Sequence, residues 1–335
     1  MAIELIKERY SNAINVMEIG RPACLDGNIL QSGRPACLDG NILQSGRPDA
    51  NAIRVGGETT LPFLFGEGGM PNAPVAALEI LDCEPTDWPD ILREPFGDAI
   101  KDPVRWARAA VEKFGSKILS VRLQSVHPDY GNRHPEESVS VLKAIAKEVK
   151  VPLIVIGCGD DDKDNELLPK ASQALKGENC LFGIATQENY KTLTATCLAD
   201  GHSIISESPI DVNIAKQVNI LISDMGFDPK RIVMHTTMTA LGYGMEYVYS
   251  IMERARLAAF IGDKMLSMPF ILFVGAETWK VKEAKEFGVR QGVNWEIATS
   301  VSTLQAGADI LVLRHPDSAR AVTSYIKEMM KEDGK

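Results

Sequence analysis

"VPLIVIGCGDDDKDNELLPKASQALKGENCLFGIAT" (151–186) holds one full period of this protein's architecture. It opens on a β-branched apolar run, "VPLIVIGC" (151–158), passes through a helical pattern, and closes on a second apolar run, "CLFGIAT" (180–186). Neither run alternates apolar with polar residues. A strand with one face in water alternates, whereas a strand covered on both faces does not. The stretch therefore predicts a β–α–β unit in a parallel sheet with helices packed on it.

The same period repeats on both sides. Further strand candidates are "VAALEILD" (75–82), "ILSVRLQS" (118–125), "HSIISES" (202–208), "RIVMHT" (231–236), "PFILFVGA" (269–276) and "ADILVLRH" (308–315). Each is followed by a helical pattern, such as "DPVRWARAAVEKFG" (102–115), "EESVSVLKAIAKEV" (136–149) and "SARAVTSYIKEMMK" (318–331). In "GMEYVYSIMERARLAAFIG" (244–262), Met245, Val248, Met252, Ala255 and Ala259 recur at helical spacing and should face the barrel. Glu253, Arg254 and Arg256 should lie elsewhere on the circumference. Eight βα units in this length predict an α/β fold, a (β/α)8 TIM barrel, whose usual size is about 250 residues. A doubly wound dinucleotide fold is disfavoured, because "LDCEPTDWPD" after the first strand carries no Gly-rich loop. The barrel is assigned to 71–335. Residues 1–70 are expected to be an N-terminal extension: a helix, a repeat insertion and a hairpin, "AIRVGGETTLPF" (52–63), plugging the barrel bottom.

The repeat is "GRPACLDGNILQS", present at 20–32 and again without change at 33–45, with a third copy that stops after Pro48. Two copies are too few for a solenoid, which needs about three. Excising 20–45 leaves "NVMEIGRPDANAIRVGGETTLPF", a seamless connection. The repeat thus reads as an insertion by duplication, and its "LDGN" signals predict two similar surface loops. Cys24 and Cys37 are duplicated with it.

Bulk properties narrow the function. A net charge of −9 lacks the basic footprint of a nucleic-acid binder. No apolar run approaches the roughly 20 residues of a membrane span, and the start lacks a secretory h-region, so a cytoplasmic location is expected. The six cysteines include no C-x-x-C pair, so no cluster or zinc site is expected in this chain.

In a barrel of this kind the working face is formed by the C-terminal strand ends and the loops after them. Here those ends bring Asp82, Glu84, Gln124 and Ser125, the run Gly157–Asp160, the run Thr186–Tyr190, Ser206–Ser208, His235–Thr237, Gly275, Glu277, Arg314 and His315. The set is rich in amides, hydroxyls and glycines suited to an uncharged polar ligand. It offers no H-x-H or H-E-x-x-H spacing for a metal and no strand-end lysine for a Schiff base. The loops "VGAETW" and "RHPDS" lack a phosphate cradle. "GDDDKDNE" (159–166) resembles the start of a calcium loop, but Asn165 and Ala171 stand at its glycine and glutamate positions, so an acidic helix entry is expected. "DGHSII" (200–205) nearly matches a D-x-H-x-x-G corrinoid motif. Ile205 replaces the glycine, and the match falls at a strand start, on the wrong face. "HTTMTALGYG" (235–244) is either a ligand-facing loop or a helix entry, with glycines permitting close approach.

"QENYKTLTA" (187–195), "SPIDVNIAKQVNILI" (208–222), "LGYGMEYVYSIMERARLAA" (241–259), "GDKMLSMP" (262–269) and "LQAGADILVLRHP" (304–316) resemble the small subunit of the corrinoid iron–sulfur protein, the delta-type subunit of the CO dehydrogenase/acetyl-CoA synthase system. The resemblance runs from about residue 52 to the end. It implies a barrel subunit that covers and helps bind a corrinoid (cobalamin), with the [4Fe–4S] cluster on a large partner subunit. The carrier so formed would shuttle a methyl group from methyltetrahydrofolate:corrinoid methyltransferase to acetyl-CoA synthase in the reductive acetyl-CoA pathway. It would use no catalytic residue or metal ligand of this chain. From the strand ends, Thr186, Gln187, Asn189, Thr236, Thr237, Gly242, Tyr243 and Gly244 are the expected corrinoid-facing residues, with Tyr190 given to packing. Two rival readings stand beside this one: a purely structural scaffold subunit, and a free-standing pterin-dependent methyltransferase using Asp82, Asp160 and Asn189.

Overall fold

The computed structural model describes residues 7–21 and 52–331. Eight parallel strands form the central sheet: β3 (Val75–Leu81), β4 (Leu119–Arg122), β5 (Leu153–Ile156), β6 (Leu181–Ala185), β7 (Ser203–Ser208), β8 (Ile232–Thr236), β9 (Ile271–Leu272) and β10 (Ile310–Leu313). They run in the order β8-β7-β6-β5-β4-β3-β10-β9. A parallel bridge between Met234 and Phe270 joins the two ends, with Met234 N–H donating to the Pro269 carbonyl at 2.9 Å. The expected (β/α)8 barrel is therefore present, and all eight strand candidates lie in it.

One strand is shorter than its sequence. "PFILFVGA" keeps only Ile271–Leu272 as strand and turns at Val274 into a short helix, Val274–Thr278. The cause is a close approach to β10. A Cβ on Gly275 would lie 2.6 Å from the Arg314 backbone nitrogen, so the chain passes there only as glycine.

Side chains of a strand alternate between its two faces. One set, including Leu78, Val121, Val155, Phe182, Ile204 and Met234, packs under the helices. The other set, including Ala77, Ile118, Ile154, Leu181, Ile205, Val233, Ile271 and Ile310, fills the barrel. Full burial of each large apolar side chain stabilises the fold by roughly 1.5–3 kcal/mol. Of the outer helices, Met245–Phe260 buries the five residues expected of it.

Arg256 departs from its expected place. It is buried with Met252, Ala255 and Ala259 rather than elsewhere on the circumference of its helix. Its guanidinium donates to the Gly307 carbonyl at 2.6 Å and pairs with Asp309, which in turn accepts from Phe270 N–H at 2.6 Å. Glu58 of the extension lies 3.7 Å away on the same guanidinium, and burial beside Asp309 raises its pKa. This cluster ties the extension, the Met245–Phe260 helix and the start of β10 into one body.

The extension also differs from expectation. Residues 7–21 hold no helix. They hold the strand β1 (Met17–Ile19), which pairs antiparallel with β2 (Ile53–Val55), Ile19 opposite Ile53. The 52–63 stretch is thus not a hairpin with itself; its strand pairs backwards across the chain. Met17, Ile19 and Val55 join the interior cluster and close the N-terminal end of the barrel. Tyr10 stacks on Phe260 with ring centroids 4.9 Å apart. The two surface loops expected from the repeat fall in 22–51, outside the described residues.

The placement of β1 and β2 gives the excision a physical form. Gly20 has φ +89°, and a Cβ there would meet Pro152 at 2.7 Å; the following Arg21 pairs with the buried Glu178 at 2.5 Å. Deleting 20–45 brings Gly46 and Arg47 to these same places in sequence. The deletion variant should keep the β1–β2 pairing and unfold within about 2 °C of the full chain, which is under about 1 kcal/mol for a domain of this size. Calorimetric melting checks this, and a drop of 10 °C or more would show that the insertion holds the barrel together.

Candidate functional site

The same alternation decides what stands in the barrel mouth. At the C-terminal strand ends the inward set ends in Glu79 (β3), Arg122 (β4), Glu207 (β7), His235 (β8), Phe273 (after β9) and Arg314 (after β10). Glu79 is fully buried between two guanidiniums. Arg314 Nε donates to one of its oxygens at 2.6 Å and Arg122 Nε to the other at 2.9 Å. Burial pushes the carboxyl up, but Arg314 and Arg122 together outweigh it and hold it at about 2. The guanidiniums also lie over aromatic rings, Arg314 4.7 Å above Trp88 and Arg122 5.7 Å above Phe273.

On the opposite wall, burial holds His235 down at about 4, so the ring is neutral at physiological pH. Its Nδ1 lies 3.0 Å from the Ile271 carbonyl, which can only accept, so the proton sits on Nδ1. Nε2 then presents a lone pair toward Glu207, 3.6 Å away, whose pKa burial raises. The floor is thus a charged layer that mostly satisfies itself.

Above it, two loops form a rim. After β6, Asn189 braces its own loop: Oδ1 accepts from Thr186 N–H at 2.8 Å, and Nδ2 donates to Asp161 at 3.0 Å and to the Ile184 carbonyl at 3.3 Å. Thr186 Oγ1 accepts from Glu188 N–H at 3.3 Å, and Gln187 is half-buried beside it. Tyr190 packs against the outer core. After β8, the Thr237 hydroxyl donates to the Ser208 carbonyl at 3.1 Å, and its side chain is exposed. Gly242 and Gly244 have φ of +82° and +101°, a turn that presents Tyr243 outward with its hydroxyl donating to Glu283 at 2.7 Å. Among the described residues beyond its chain neighbours, the atom nearest to a Cβ added at Gly242 belongs to Trp295, 3.8 Å away.

The expected site residues therefore separate. Thr186, Gln187, Thr237, Gly242, Tyr243 and Gly244 lie on the rim. Asn189 is a brace within it. Thr236 belongs to the outward set with Ile232 and Met234; it is 1% exposed, under the helices, and its hydroxyl has no partner among the described residues. Glu79 and Arg122 were missed by the strand-end reading. Their signal was present as Glu79 in the middle of "VAALEILD" and Arg122 in the middle of "ILSVRLQS", charges inside otherwise apolar runs.

Other motifs resolve on contacts. Asp160 caps the helix Asp161–Ala174 through Lys163 N–H at 3.0 Å, and Asp164 turns inward to accept from Cys158 and Gly159 N–H at 2.7 and 3.0 Å. "GDDDKDNE" is an acidic helix entry, as expected. Asp82 is buried and accepts from Ser125 N–H, Ser125 Oγ and Ser138 Oγ at 2.9, 2.5 and 2.5 Å. The Asp82, Asp160 and Asn189 trio is thus committed to internal bonds rather than converging on a pterin. His202 of "DGHSII" is buried at the barrel bottom between Cys180 N–H and the Ser172 carbonyl.

With this geometry in place, similarity to known proteins is informative. The family described as CO dehydrogenase/acetyl-CoA synthase delta subunit matches residues 42–326. The chain belongs to this family. The acetyl-CoA decarbonylase/synthase complex subunit delta of Methanopyrus kandleri is 35% identical over 283 residues, covering 82% of this chain and 70% of that protein. The corresponding subunit of Methanothermobacter thermautotrophicus is 33% identical over 288 residues, covering 84% and 73%. The fold also resembles dihydropteroate synthase from Xanthomonas albilineans, with a TM-score of 0.55 at 13% identity, covering 81% of this chain and 99% of that one. The delta-family match begins within the second repeat copy, so the first copy lies outside it.

The Glu79 bridge yields a direct test. Glu79→Ala leaves two inward-facing guanidiniums without their carboxylate and should cost about 3–5 kcal/mol in urea unfolding. Its depressed pKa also sets a pH dependence. The bridge contributes fully above the unfolded carboxyl pKa of about 4.3 and is lost as pH falls toward about 2. Glu79→Gln should therefore flatten the acid limb of stability against pH, and an unchanged limb would remove the bridge from the account.

Proposed function

We propose that this delta-family chain is the small subunit of a corrinoid iron–sulfur methyl carrier, with the barrel mouth covering one face of a corrinoid held by a large partner subunit. The observation that carries the reading is the mouth itself: a floor whose charges are mostly paired internally, under a rim of hydroxyls, an amide and open glycine backbone. A corrinoid is broad, amide-fringed and modestly charged. The donor set fits it, since hydroxyl and amide groups bond to amides without burying an unpaired charge. When bound, the corrinoid supplies methyl acceptance and donation at its metal; the protein supplies orientation and surroundings. Thr186 and Gln187 hold the macrocycle's fringe on one side, and Thr237 with Gly242, Tyr243 and Gly244 holds it on the other. Asn189 fixes the first loop's shape, and Thr236 anchors the second from beneath. Phe273 and the Arg122–Glu79–Arg314 floor exclude water below.

On this reading the iron–sulfur cluster lies on the partner. Burial raises the thiols of Cys83 and Cys158 to about 12 and that of Cys197 further, so in the metal-free chain they rest as buried, protonated thiols. The remaining partners are methyltetrahydrofolate:corrinoid methyltransferase and acetyl-CoA synthase, in the cytoplasm. No helix among the described residues is long and apolar enough to cross a membrane.

Purification of the native complex, with cobalt and iron counted on the separated chains, tests the division of labour. Cobalt should be retained only by the assembled pair, and iron should follow the large chain; stoichiometric iron on this chain alone contradicts it. In the assembled pair, Gln187→Ala with Thr237→Val removes two hydrogen bonds of about 0.5–1.5 kcal/mol each. Corrinoid release should quicken about tenfold, and an unchanged rate takes these two residues out of the site.

A further inference from the structure

At the end of the barrel opposite the mouth lies a groove of about 840 Å³. Small-molecule sites span roughly 300–1,000 Å³. Its origin is a gap in the helix ring. Neighbouring outer helices pack side by side around the barrel, but the last, Pro316–Met329, makes no comparable contact with the first, Pro103–Arg108. The turn Phe114–Lys117, the start of β3 and the β1–β2 ribbon border the opening left between them.

The charge of this groove runs against that of the protein. In a chain of net charge −9 its walls carry, among the described residues, Arg54, Lys117, Arg320 and Lys327 against one acid, Glu18. Glu18 is committed to Arg54 at 2.7 Å, and Arg320 pairs with Asp317 at 2.9 Å across open solvent. Lys117 and Lys327 face the groove without a carboxylate partner among the described residues. The same walls have an apolar part, lined by Phe114, Leu78, Val75 and Ile326. The Thr323 and Ser324 hydroxyls donate to helix carbonyls one turn back and leave only lone pairs. Several cations lining one groove suit several linked negative groups better than one carboxylate, and the apolar part suits a ring.

We propose that this groove binds a phosphorylated small molecule of nucleotide type, its phosphates between Lys117 and Lys327 and its ring against Phe114. The site is independent of the mouth, so its failure leaves the corrinoid reading untouched.

Calorimetric titration of the full chain with ATP and, separately, inorganic pyrophosphate tests it, in low salt without divalent ions. ATP should bind with Kd below about 1 mM and pyrophosphate more weakly. Lys117→Glu with Lys327→Glu, both exposed and remote from the core, should weaken ATP at least about tenfold while the melting temperature holds. Phe114→Leu should weaken ATP and leave pyrophosphate unchanged. Absence of heat at millimolar ATP, or ATP binding unaffected by the double charge reversal, overturns the site. Pyrophosphate binding as tightly as ATP overturns the nucleotide class. Repeating the titration on the chain lacking 20–45 should give the same affinity; loss of binding there would mean that these lining residues do not form the site.

Discussion

The Glu79 carboxylate, shared by Arg122 and Arg314, is the interaction on which the upper barrel depends. It joins three adjacent strands, β3, β4 and β10, at the height where the interior passes from apolar filling to the mouth. Two guanidiniums held in place by one carboxylate each lie over a ring, Arg314 over Trp88 and Arg122 over Phe273. The result is a rigid, polar, nearly self-neutralising floor. Desolvating such a cluster is costly, and it persists only because each charge has a partner in good geometry. A floor of this kind leaves little uncompensated charge to discriminate ligands, so recognition passes to the rim.

Much of the fold was legible because the strands are buried on both faces. Eight apolar runs, each followed by a helical pattern, leave few alternatives to a barrel. That same property hid which residues enter the mouth. A strand without polar alternation does not reveal its parity, so Thr236 and Thr237 read alike, although one lies under the helices and the other on the rim. Glu79 and Arg122 carried the missing parity signal, since an ionised group in an apolar strand needs a partner, and here each is the other's.

The remaining departures come from contacts between distant segments. β1 and β2 are three residues each and form by pairing with one another; no local pattern marks strands so short. Arg256 reads as lying off the buried face of its helix because its partners, Asp309 and Glu58, lie far away in sequence. β9 stops early because Gly275 passes against β10. Each is tertiary context overriding a local preference. The tandem repeat is the reverse case, conspicuous in sequence yet placed in the connection between two strands whose pairing closes the far end of the barrel.

The central claim is that the mouth, and not another face, meets the corrinoid and its carrier subunit. Amide hydrogen exchange on the free chain and on the assembled complex addresses it most directly. The account predicts slowed exchange in 186–190 and 237–244 on assembly, with β1 and β2 unchanged. Protection confined to the ribbon end or the outer helices, with both rim loops exchanging as in the free chain, would contradict it.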